Sequence, residues 1–85
     1  MTSPEASPEM RDHFAHCIQV LGGLTAASRR LGIDERAIRR FINDERPVSA
    51  GLMADTAKAL GQLAAEATAA QERIAAVLKA EPDAS

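Results

Sequence analysis

The stretch Leu24-Thr-Ala-Ala-Ser-Arg-Arg-Leu-Gly-Ile-Asp-Glu-Arg-Ala-Ile-Arg-Arg-Phe-Ile-Asn43 decides the fold. Gly32 divides it into two short segments with helical periodicity. In the first, Leu24, Ala27, Ser28 and Leu31 recur at spacings of three and four and form an inner side. Ala27 and Ser28 are small, so a second helix can cross closely. Gly32 suits a left-handed backbone position, which other residues enter at a cost of roughly 1 kcal/mol. Asp34 is a good N-cap for the second helix, and its carboxylate suits the positive end of the helix dipole. At 100° per residue, Ile38, Phe41 and Ile42 share one side of that helix. Arg36, Arg39, Arg40 and Asn43 share the other.

Working outward, residues 8–21 carry Met10, Phe14, Cys17, Ile18 and Leu21 as an amphipathic stripe, ended by Gly22-Gly23. Ser7-Pro8 reads as its start, with Ser as N-cap and Pro at the first helical position. His13 and His16 lie off the stripe; without a third ligand they read as solvated surface. Downstream, Glu45–Ser49 forms a loop that Pro47 prevents from continuing the helix. Ser49 caps a fourth helix from about Ala50, with Leu52, Met53, Thr56, Ala57 and Leu60 facing inward. Gly61 marks a kink, a break or nothing. Beyond it, Leu63, Ala67, Ala70, Ile74 and Val77 repeat at three and four, and Leu78 widens the stripe. That stripe must cover something: it packs back on the first helix, or it pairs with the same helix of a second copy. The second is the preferred expectation.

The expected class is therefore all-α, a small bundle of four to five helices with a long C-terminal helix. The expected organisation is a disordered tail over 1–9, a helix-turn-helix DNA-binding domain over 10–60, a C-terminal dimerisation helix over 61–80, and a disordered tail over 81–85. Eighty-five residues make one small domain, and 46 % apolar residues suffice for a core. Two Phe and neither Trp nor Tyr leave no aromatic platform for stacking unpaired bases. The single Cys17 cannot form an intramolecular disulfide and, with two His, cannot complete a metal site; it reads as core. No membrane-spanning run, signal peptide, nucleophile–base pair or phosphate-binding Gly-rich loop is apparent. Neither an enzyme, nor a cofactor, nor a small-molecule ligand is expected, and the expected location is the cytoplasm.

Formal net charge is −2, against the usual basic balance of DNA-binding domains. Locally the balance reverses. Residues 24–49 hold six Arg (29, 30, 36, 39, 40 and 46) against four acids (34, 35, 44 and 45), a local charge of +2. Three arginines and an asparagine on one exposed helical arc suit base edges in a major groove, Arg to guanine and Asn to adenine. The bland alternative is a solvated face with Glu35–Arg39 and Arg36–Asp44 pairing. The helix and turn in front of the arc weigh against it.

From Gly22 to about Leu60 the chain resembles the Cro/C1-type helix-turn-helix regulators of phages and prophages. Ala27, Ser28, Gly32, Ile33, Ile38 and Phe41 fall at that family's small, turn and core positions. The run Phe41-Ile-Asn-Asp-Glu-Arg-Pro-Val-Ser-Ala50 is similar to its segment ending in Arg-Pro-Val-Pro. The departures are Leu24, where many relatives have a phosphate-contacting Gln, Ser28 for Ala, Asp44 for Gly and Ser49 for Pro. The long C-terminal helix replaces the family's fifth. The resemblance implies double-stranded DNA as partner, bound by a homodimer. Arg36, Arg39, Arg40 and Asn43 would read bases, and Thr25, Arg29 and Arg46 would contact phosphates. With no second domain read in these residues, promoter occlusion by a repressor is the expected mode. The alternative is a protein-interaction module, such as an antitoxin or adaptor, that uses the same helices as scaffold.

Overall fold

The computed structural model describes residues 8–80. The expectations for Ser7 and for the tails over 1–7 and 81–85 lie outside them. Four helices follow in order: α1 (Pro8–Val20), α2 (Leu24–Leu31), α3 (Glu35–Ile42) and α4 (Ala50–Ala80). Every regular element among the described residues is helical. Pro8 and Glu9 belong to α1 rather than to the expected tail.

The ends of the helices follow local chemistry. After α1, the Gly22 N–H donates to the Gln19 carbonyl at 3.0 Å and the Gly23 N–H to the Ile18 carbonyl at 2.9 Å. This is a Schellman closure, and Gly22 at φ 112° supplies its left-handed residue. Gly32 closes α2 in the same backbone region, at φ 70° and ψ 28°. Across that turn the Ser28 hydroxyl donates to the Ile33 carbonyl at 2.6 Å. Ser28 is thus more than a small spacer, because it satisfies a carbonyl that the reversal leaves without a helical partner. At the start of α3, the Asp34 side chain accepts from the Arg36 N–H, as a cap should. At the start of α4, the Ser49 hydroxyl accepts from the Leu52 N–H at 3.1 Å.

Phe14, Cys17, Ile18 and Leu21 from α1, Ala27 from α2, Ile38 from α3, Val48 from the loop, and Ala59 from α4 form the buried centre. Phe14 and Ile38 are fully buried, and the Phe41 ring meets Phe14 edge-on at 5.9 Å and 71°. Thr56 is also buried; its hydroxyl donates to the Leu52 carbonyl at 2.8 Å, and among the described residues no buried side-chain polar atom is stranded. One inward assignment on α4 needs correction. Ala57 is exposed and Ala59 is buried, because the contact stripe runs through Leu52, Thr56, Ala59 and Leu63.

Gly61 does not end α4, which spans 31 residues as one helix. An exposed helical glycine costs only about 1 kcal/mol, and the Ala-rich flanks compensate for it. At 1.5 Å per residue α4 is roughly 47 Å long, so it projects beyond the body, and the molecule measures 61 × 27 × 19 Å. Past Leu63 every described residue of α4 is exposed. Within one chain the stripe therefore does not fold back on α1.

A bidentate pair braces the root of this projection. Arg30 of α2 donates to both carboxylate oxygens of Glu66, at 2.7 and 3.3 Å. The hydrogen bond from Arg30, and then its charge, hold the Glu66 carboxyl below its ordinary range, while the Arg30 guanidinium is held above its own. A lowered acid pKa contributes stability above the unfolded-state value and loses it as pH falls through the folded-state value. We expect the midpoint of thermal unfolding to fall less on acidification in Glu66→Gln than in the wild type, measured by circular dichroism from neutral pH to below the ordinary glutamate range. Equal slopes would show that the pair adds nothing in solution, as for many exposed ion pairs.

Candidate nucleic-acid interface

The outer arc of α3 is an exposed polar surface rich in arginine. Its inner side is seated by Ile38, fully buried, and by Phe41 and Ile42, half-buried against the core. With that side fixed, helical spacing leaves Arg36, Arg39, Arg40 and Asn43 outward, and all four are exposed. Among the described residues no carboxylate lies within ion-pairing distance of Arg36, Arg39 or Arg40.

Two acids that could neutralise this arc, Glu35 and Asp44, are engaged elsewhere, while Glu45 lies exposed just past it. Glu35 accepts from the Thr25 hydroxyl at 3.1 Å instead of pairing with Arg39. Asp44 pairs with Arg11 of α1 at 3.3 Å instead of with Arg36. Asp44 also occupies a left-handed position, φ 65°, at the end of α3. There its N–H donates to the Phe41 carbonyl, and the Glu45 N–H donates to the Arg40 carbonyl at 2.8 Å, another Schellman closure. Aspartate tolerates this region better than most residues.

The residues expected to flank the arc divide into two groups. Arg29 is exposed on α2, and the Arg46 guanidinium lies 5.5 Å from the centre of the Phe41 ring, a cation–π arrangement that holds it beside the end of α3. The Thr25 hydroxyl is not free, since it donates to Glu35. Arg30 faces Glu66 and stands apart from the arc. Arg11 was not legible from the sequence as a neighbour of α3. It is 33 positions from Asp44, and no periodicity links residues on separate helices.

Comparison with family models, with characterised proteins and with solved structures returned no match. His13 and His16 are exposed neighbours on α1, their rings 6.4 Å apart, and no group of three metal-ligating side chains occurs among the described residues. No helix among them is long and apolar enough to cross a membrane.

Proposed function

We propose that this chain is a sequence-specific double-stranded DNA-binding regulator that inserts the outer arc of α3 into the major groove. The supporting observation is that Arg36, Arg39, Arg40 and Asn43 stand exposed on one arc, with the nearby acids Glu35 and Asp44 held by other partners. Planar guanidiniums can donate two hydrogen bonds to guanine, and a side-chain amide can make two with adenine. Arg29 and Arg46 flank the arc and contact phosphates, which fix register without reading sequence. Thr25 joins them only by exchanging Glu35 for a phosphate oxygen.

Two copies bind half-sites about one helical turn apart, roughly 10 bp. The simplest regulatory consequence is repression by occupying a promoter, of the phage or mobile-element type that the sequence resembles. The exposed Ile74, Val77 and Leu78 on α4 favour a second reading, an adaptor or antitoxin that uses these helices as scaffold.

Selection from a random duplex pool, followed by affinity measurement across a salt series, separates the two. The regulator selects a defined site, and log K for that site falls with log salt by roughly 0.9 per phosphate contacted. Failure to enrich any duplex, or affinity indifferent to salt, overturns the DNA reading.

A further inference from the structure

We infer that the projecting half of α4 pairs antiparallel with the same segment of a second copy, placing the two bodies at opposite ends of the seam. This deepens the dimer invoked above but rests on α4 alone, and its tests contain no DNA.

The exposed stripe continues the face by which α4 grips its own body. Leu60 and Leu63 are half-buried against the core, and Ala67, Ala70, Ile74 and Val77 extend the same line outward at alternating spacings of three and four. Ile74, Val77 and Leu78 are 61, 55 and 60 % exposed, an apolar run left bare in the single chain. Because the body lies on this face, a parallel pair would bring two bodies to the same end of the seam, each on the side its partner must occupy. An antiparallel pair separates them.

Charge selects the occupant and the register. Residues 64–80 carry Glu66, Glu72, Arg73 and Lys79, two acids and two bases, so the segment offers no field for a strongly charged partner. It is, however, complementary to itself in one alignment. Setting Ala67 opposite Ala70 of the second copy places Ile74 and Val77 against the edges that Leu63 and Leu60, only half-buried, leave exposed beside the body. Small residues then meet at the centre and large ones at the ends. The same alignment brings Glu66 beside Arg73 of the second copy, twice by symmetry, on the flank of the seam. Glu66 retains acceptor capacity there while holding Arg30, because its side chain is 62 % exposed. A parallel alignment would instead place Glu66 beside Gln71 and Arg73 beside Leu78. Leu78 gains a counterpart as well, since the antiparallel alignment lays it over the exposed Ala57 of the second copy.

Sedimentation equilibrium of the full chain tests the pairing, and double electron–electron resonance tests its direction. The chain is expected to be a dimer at micromolar to tens-of-micromolar concentration; a monomer throughout overturns the inference and leaves the face to another protein. Spin labels on Lys79→Cys, in a Cys17→Ala background, are expected more than about 30 Å apart, because antiparallel alignment offsets them by 21 residues at about 1.5 Å each. A separation near 20 Å or less overturns the direction. Ile74→Glu is expected to yield a folded monomer, as the residue lies outside the core. Persistence of the dimer would move the interface off α4. Arg73→Glu should weaken the dimer about threefold or more at low salt, by opposing Glu66 with a like charge. An unchanged dissociation constant overturns the register.

Discussion

Phe14→Ala is expected to lower the stability of the folded chain by about 3–5 kcal/mol, a large fraction of the total for a domain of this size. The ring is fully buried and meets Phe41 edge-on at 5.9 Å, so its removal opens a cavity and ends an aromatic contact. The effect extends to the proposed interface, because Phe41 helps to seat α3 and supports the Arg46 guanidinium. Urea unfolding followed by far-ultraviolet circular dichroism measures the loss. His13→Ala is the matched control: it is one residue away and exposed, so a change within about 0.5 kcal/mol is expected. A Phe14 effect as small as the control's would show that α1 does not close the core as described.

Arg39→Ala is expected to weaken binding to the selected site by about 1–3 kcal/mol, and to relax the preference at one base pair. Arg39 is exposed, follows the capped start of α3 by one turn, and has no carboxylate partner among the described residues. Its removal should therefore leave the fold intact while deleting a pair of hydrogen bonds to a base. Fluorescence anisotropy with the selected duplex, a set of single-base variants and a random duplex distinguishes the possible roles. Equal loss on all duplexes would make Arg39 a phosphate contact. No loss on any would remove it from the interface. Arg30→Ala is an informative comparison, since that side chain is directed to Glu66 and away from the arc. It should perturb the root of α4 and leave base preference unchanged.

Much of the architecture is encoded over distances of three to five residues. The left-handed glycine at Gly32, the caps at Asp34 and Ser49, and the apolar line from Phe14 to Leu21 are all local, and all appear where spacing and backbone chemistry place them. The outward arc of α3 is equally local, because fixing Ile38 inward also fixes where Arg36, Arg39, Arg40 and Asn43 point. Gly61 shows the limit of such reasoning. A propensity near 1 kcal/mol is too weak to decide between a break and a continuous helix, and the surrounding Ala-rich sequence decides it. The exchange of Ala59 for Ala57 on the inner side of α4 has a related origin, for small residues give a weak hydrophobic signal and the facing helices choose between them.

By itself, the sequence determined the turn at Gly32, the caps at Asp34 and Ser49 and the face of α3 that carries the arginines, since each follows from chemistry confined to one or two turns. Only the tertiary structure decided which charges are available. Packing α1 beside α3 gives Asp44 to Arg11, packing α2 beside α3 gives Glu35 to Thr25, and packing α2 beside α4 gives Arg30 to Glu66. Partners on separate helices carry no mutual spacing in the chain, so their pairing emerges only when the core brings those helices together.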